Sequence, residues 1–208
     1  MTTGSGPSHM AGTPAKSRII GVDVARGIAL AGMLAVHVFY TFNSDGSPSI
    51  ATELASGRSA ATFAVMAGVG LSLVTGGRYP LKGAARVAAS AGLAVRGLLI
   101  CLTGLMLGYA TNAAGLDVYV ILPYYAVMFL LAIPLLGLSP RVLAGIAVVL
   151  AVSAGTLLNV TIGDVANPSS GIDATLGTAG HHPVRLLIFL LFGGSYPAVL
   201  WLAYICAG

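Results

Sequence analysis

Five apolar runs, each close to 20 residues long, follow one another along this chain and limit its fold more than any other feature. A helix needs roughly 20 residues to cross about 30 Å of hydrocarbon. Spans are therefore predicted near residues 21–42, 59–76, 92–111, 118–137 and 142–160. Charged residues make up 8% of the chain, against about 25% in a soluble domain. The sequence thus predicts an all-α, polytopic transmembrane helix bundle.

The last apolar stretch is interrupted in its middle. It runs from Val184 to Phe192, meets two glycines and Pro197, and resumes at Ala198. A glycine pair followed by proline breaks a helix, so we predict a short helix that leads into a sixth span. That span reaches Gly208 without a polar exit, which favours the front part of a longer bundle.

The placement of basic residues predicts the orientation of the spans. An N-terminus in the cytoplasm puts eight of the ten Lys and Arg on cytoplasmic segments, in agreement with the positive-inside rule. These eight are Lys16, Arg18, Arg26, Arg78, Lys82, Arg86, Arg96 and Arg141. The far side receives Arg58 and Arg185, together with Asp45, Glu53, Asp117, Asp164 and Asp173. Because the basic residues form no run, the pI near 9.3 indicates topology, and no nucleic-acid partner is expected.

Two segments at the cytoplasmic side need a separate interpretation. Residues 1–17 are small and polar and predict a disordered cytoplasmic tail, which leaves 18–208 as one transmembrane domain, incomplete at its C-terminus. The basic residues of 78–96 have near-helical spacing. They are explained by ordinary positive-inside charge, by a helix lying along the inner surface, or by a site for an anionic, nucleotide-bearing acyl donor.

Three ionisable residues of the first span are the main functional candidates, because a charge near mid-bilayer costs roughly 2.5–3.5 kcal/mol. Asp23 and Arg26 share a helix face and can pair; the alternative is a topological anchor. His37 lies about 21 Å further along the helix axis than Asp23 at 1.5 Å per residue. It therefore belongs to a different site, near the outer face. An imidazole there can act as a general base, or it can simply bind a neighbouring helix.

These residues also carry a resemblance. The pattern Arg18-x4-Asp23-x2-Arg26-Gly27-x9-His37, followed by Phe63-Ala-Val-Met-Ala-Gly68, resembles the transmembrane acyltransferases. They comprise acyltransferase family 3, the heparan-α-glucosaminide N-acetyltransferase catalytic-domain proteins and the YeiB-like bacterial membrane proteins. The tail Gly194-Ser-Tyr196-Pro197-x3-Trp201-Leu-Ala-Tyr204 is more similar to the last two groups. Two positions depart from the resembled patterns: Ala67 replaces a serine, and the stretch from Thr41 to Gly57 lacks the histidine of the lysosomal enzyme.

The resemblance implies an integral membrane enzyme, in a bacterial cytoplasmic membrane. It would move an acyl group, acetyl in the simplest case, from cytoplasmic acyl-CoA to a sugar or glycan on the other side. By position, His37 would be catalytic, and Asp23 and Arg26 would bind the donor together with Arg86 and Arg96. Membrane lipid is an expected partner, and assembly with a second copy is left open.

The remaining candidates are weaker. Arg58 and Arg185 are either anchors that snorkel to the interface or contacts for the acceptor. Adjacent His181 and His182 rarely offer both rings to one metal, so no metal is expected. Cys101 and Cys206 lie in apolar runs, where a catalytic thiol is not expected.

Two structural features of the middle spans can also be predicted. Gly104 and Gly108 form a close-packing face in the third span. Pro123 and Pro134 bracket the fourth span, next to Tyr124 and Tyr125, and predict a kinked helix beside a polar cavity.

Two other functional classes stay open beside the acyltransferase. One is a transporter or permease subunit, for which broken helices and intramembrane charge are also typical. It would predict an inverted repeat, and the sequence contains no second copy of the span-one motif. The other class is a non-catalytic membrane partner protein.

Overall fold

A computed structural model describes residues 19–39, 41–77, 79–116, 120–160, 174–194 and 196–208. The predicted tail lies outside these ranges, as do Arg78, Asp117, Asp164 and Asp173. The described part is helical, with one isolated antiparallel bridge between Phe42 and Pro48. Its helices are α1 (Ile20–Val38), α2 (Ile50–Ala55), α3 (Arg58–Val74), α4 (Gly83–Ala113), α5 (Leu122–Ala132), α6 (Pro140–Val160), α7 (Leu176–His181), α8 (Pro183–Phe192) and α9 (Ala198–Ala207).

Three helical segments in the described ranges are long and apolar enough to cross a membrane, namely Ile20–Val38, Ile50–Val74 and Gly83–Ala113. The second joins α2 to α3. Large apolar side chains cover the outside of the bundle, including Leu34 on α1 and Leu98 on α4. Such a surface is stable against lipid and not against water. The fold is therefore a helical membrane bundle, as predicted.

Helices α1 and α3 form an antiparallel pair joined by the short α2. The pair packs closely because Gly32 of α1 lies against Ser59 and Ala55. The segment between the first two predicted spans thus contains a helix. Its start is stabilised by Ser49, whose side chain accepts a hydrogen bond from the Thr52 backbone N–H.

Helix α4 is continuous over 31 residues. A separate helix along the inner surface before the third span, one of the three interpretations of segment 78–96, is therefore wrong. At 1.5 Å per residue α4 is about 46 Å long, more than the hydrocarbon thickness, so it extends beyond the bilayer or tilts. The predicted close-packing face is confirmed: Gly104 lies against Leu122 and Pro123, and Gly108 against Ala174.

Helix α5 is the most buried element, with Pro123 to Met128 all enclosed. The predicted kink is wrong. Pro123 lies in the first turn of α5, where its missing N–H costs nothing, and Pro134 lies in the 3₁₀ turn that ends it. The Tyr125 hydroxyl donates to the Ala60 carbonyl oxygen at 3.1 Å and ties α5 to α3.

The predicted interruption of the last apolar stretch is confirmed. Helix α8 ends at Phe192 and α9 begins at Ala198. Gly194 between them has φ +64° and lies against the Tyr124 hydroxyl and the edge of the Phe189 ring, a conformation and a space that only glycine fits. Helix α9 then contacts α3, α5 and α6 and completes the core.

Candidate functional site

The antiparallel helices divide the candidate residues between the two ends of the bundle. We call the end at which α1, α4 and α6 begin the basic end, because it carries Arg26, Lys82, Arg86 and Arg141. Helix α3 and the 3₁₀ turn after α5 finish there. The opposite end carries His37, Arg58 and Arg185, on α1, α3 and α8. The separation between Asp23 and His37 on the first span is therefore repeated by candidate residues on other helices, which also lie at one end or the other.

Arg26 reaches from α1 to α3. Its guanidinium is half-buried, and Nη2 donates to the Met66 carbonyl oxygen at 3.0 Å. The group lies over Gly70, where a Cβ atom would be 3.3 Å from the arginine Cζ and closer still to Nη2. Asp23 lies one turn earlier and is also half-buried. Arg26 of the first span thus faces α3.

His37 lies in the last turn of α1 and is exposed. Its Nδ1 is 2.7 Å from the Met33 carbonyl oxygen. A carbonyl oxygen only accepts, so Nδ1 carries the hydrogen in this contact, and in the neutral ring the lone pair then lies on Nε2. Helix α1 is unbroken between Asp23 and His37, so the axial separation of about 21 Å is retained.

The other two arginines at the opposite end differ in their surroundings. Arg58 donates through Nη1 to the Glu53 carbonyl oxygen, one of the last carbonyls of α2, and so stabilises the corner between α2 and α3. Arg185 is exposed on α8. In the nearby loop, the Ser47 hydroxyl and backbone N–H donate to Asp45 and hold the pKa of that carboxyl below its usual value.

Arg86 and Arg96 both lie on α4 but do not share one environment. Arg86 donates through Nη2 to the Leu136 carbonyl oxygen at 2.5 Å, beside Gly137 with φ +87°. It therefore satisfies a carbonyl at the end of the 3₁₀ turn. Arg96 is exposed and lies about 15 Å further along the helix.

A cavity of about 500 Å³ opens at the basic end. Hydroxyl groups of Ser72, Thr75 and Ser139 line it together with apolar side chains. The wall also includes Leu136, the acceptor of the Arg86 bond, and Cys206 of α9. The sequence predicted a polar cavity beside the fourth span, but it did not predict that the walls come from the ends of separate helices. The one available signal was the set of hydroxyl residues at predicted span ends.

A second space of about 660 Å³ lies between α6 and α9, lined mostly by apolar residues including Trp201 and Tyr204. None of the predicted site residues lines either space. Within the described ranges, no group of three or more His, Cys, Asp or Glu side chains comes together to hold a metal ion.

The fold and the distribution of the site residues indicate a helical membrane protein that has polar residues at both ends. The chain belongs to the heparan-alpha-glucosaminide N-acetyltransferase catalytic family, which matches residues 18–172. The matched region contains α1 to α6 and thus both ends of the bundle. Neither a curated protein nor a solved structure matches the chain. The resemblance seen in the span-one motif is confirmed, and membership implies a membrane transferase of the acetyltransferase type.

Proposed function

We propose that this protein is a membrane acyltransferase that moves an acetyl or other acyl group from cytoplasmic acyl-CoA to a sugar or related acceptor on the extracytoplasmic side. The observation that carries the proposal is the match of the catalytic family to residues 18–172. The basic end would face the cytoplasm, because Lys and Arg are retained on that side. The membrane would be a bacterial cytoplasmic membrane.

The donor would bind at the basic end. The 500 Å³ cavity falls in the range of roughly 300–1,000 Å³ that is usual for small-molecule sites, and it suits the acyl-bearing arm of the donor. Arg86 uses one N–H on Leu136, and a guanidinium has five, so the others remain for phosphate. Arg96 would add a second exposed guanidinium on the same helix. Asp23 would complete the donor set at this end.

The acceptor would bind at the opposite end, near His37. With the acyl-bearing arm of the donor extended from the basic end to His37, the Nε2 lone pair favoured by the Met33 contact would take the proton from the acceptor hydroxyl or amine as it attacks the thioester carbon. The new C–O or C–N bond forms, the C–S bond breaks, and the proton passes to the departing thiolate. Arg58 and Arg185 lie at the same end and would contact the acceptor.

The test is acetyl transfer by the purified protein in proteoliposomes. Acetyl-labelled acetyl-CoA is added to the side of the basic end, and amino sugars or lipid-linked sugars are supplied on the other side. We expect label in the sugar fraction and free coenzyme A on the donor side. Passage of intact acetyl-CoA or of unmodified sugar, without transfer, would instead support a transporter.

A further inference from the structure

Arg26 and Gly70 form an unusual contact between α1 and α3. In a regular α-helix the Met66 carbonyl oxygen accepts a hydrogen bond from the Gly70 N–H, four residues later. Arg26 adds a second donor to the same oxygen, at 3.0 Å. A helix carbonyl is normally screened on its outer side, because each Cα–Cβ bond leans towards the helix N-terminus and so over the preceding turn. At position 70 no Cβ is present, and the guanidinium takes its place.

The contact between Arg26 and Gly70 can fix the position of α1 against α3, because α1 has few other contacts. Among the described elements, α1 packs against α2 and α3, and Ala29 is its only buried residue there. Two close approaches hold the pair: Gly32 against Ser59 near one end, and Arg26 against Gly70 near the other. In an apolar surrounding a charged hydrogen bond of this kind is strong, since few competing donors are available.

We propose that Arg26 is a positioning residue, and that the absent side chain of Gly70 forms the seat in which its guanidinium locks α1 onto α3. Through α1 the lock sets the position of Asp23, three residues before Arg26, and of His37, 11 residues after it. This consequence for catalysis rests on the proposed acyltransferase function. The lock itself does not.

A double-mutant cycle tests the lock without any activity measurement. Gly70→Ala normally favours a helix, yet here the methyl group would displace the guanidinium. We expect Gly70→Ala to lower the thermal unfolding midpoint of the purified protein by about 2–8 °C. Gly27→Ala is the matched control, because a Cβ there meets nothing within 4 Å, and its midpoint should not fall.

The second arm of the cycle is Arg26→Ala with and without Gly70→Ala. Once the guanidinium is gone, the methyl group has nothing to displace, so Gly70→Ala should cost nothing further in the Arg26→Ala protein. Additive losses would overturn the lock, and so would a Gly70→Ala protein as stable as the wild type. If Gly70→Ala alone does not fold, recovery of a folded protein in the double variant supports the lock.

The kinetic arm separates positioning from donor binding. A displaced α1 misplaces His37, so Gly70→Ala should lower kcat by roughly 10- to 100-fold with an unchanged KM for acetyl-CoA. A raised KM at unchanged kcat would assign Arg26 to the donor and overturn the positioning role. If the wild-type protein transfers no acetyl group, the proposed function fails, while the unfolding cycle still decides the lock.

Discussion

At the residue scale, each of the candidate side chains with a described bond engages a backbone carbonyl. Arg26, Arg58 and Arg86 donate to carbonyls of other elements, and His37 contacts a carbonyl of its own helix. The carbonyls of Glu53 and Leu136 lie at helix ends, where intrahelical partners are lacking, whereas Met66 and Met33 lie within α3 and α1 and accept a second hydrogen bond. Only the histidine keeps an acceptor atom, Nε2, that suits proton transfer.

The first residue-scale prediction concerns His37. His37→Gln keeps the size and some hydrogen bonding but loses the base, so acetyl transfer should fall by roughly 10²–10⁴-fold. Acetyl-CoA binding and the thermal midpoint should be retained. The control is His181→Gln, another exposed histidine with no assigned role. A His37→Gln protein that transfers acetyl at the wild-type rate would remove the residue from the active site.

The second residue-scale prediction concerns Tyr125. Tyr125→Phe removes the hydroxyl that binds the Ala60 carbonyl in a buried setting, so the bundle should lose about 0.5–1.5 kcal/mol of stability. Tyr204→Phe is the control, because Tyr204 is 42% exposed. Thermal unfolding in detergent measures both. Equal midpoints for the two variants would mean that the bond contributes nothing to packing of α5 on α3.

At the element scale, small residues decide which helix faces pack. The buried face of α3 is made of Ala60, Ala64, Ala67, Gly68 and Leu71. Gly68 lies against the Ile205 backbone, so α9 approaches α3 at main-chain distance. In lipid, helix association depends on such close packing, because burial of apolar surface provides little driving force for association.

An element-scale prediction follows for α4 and α5. A Cβ atom at Gly104 would be 2.5 Å from Pro123 Cδ and 2.7 Å from Leu122 Cβ, and the first turn of α5 cannot yield easily. Gly104→Ala should therefore destabilise the protein by about 1–3 kcal/mol. Gly92→Ala on the same helix, where a Cβ meets nothing within 4 Å, should be neutral or stabilising. Unfolding midpoints that do not differ would contradict the packing.

At the scale of the whole molecule, charge is sorted between two ends of an apolar bundle. The basic end has the cavity and four basic residues on the starts of α1, α4 and α6. The opposite end has the exposed histidine and the acidic residues of the α1–α3 connection. The proposed function uses this separation, with the donor at the basic end and the acceptor at the opposite end.

The prediction at this scale concerns orientation. In a background with Cys101 and Cys206 replaced by serine, a cysteine at Ser44 should react with an impermeant thiol reagent added to intact cells. A cysteine at Lys82 should react only after the cells are opened, because Lys82 lies at the basic end, which retains positive charge on the cytoplasmic side. Labelling of the Lys82 cysteine in intact cells would mean that the basic end faces the outside of the cell and would contradict the predicted orientation.

The sequence by itself determined the helical membrane class, the break before Pro197, the close-packing face at Gly104 and Gly108, and the sorting of basic residues. These features depend on local composition and on spacing along one helix. The tertiary structure decided that Arg26 bonds Met66 over Gly70, that Pro123 starts α5 instead of kinking it, and that a cavity opens at the basic end. Each of these depends on which helix faces meet. The spacing of residues along one helix carries no information on its partner helix or on their register.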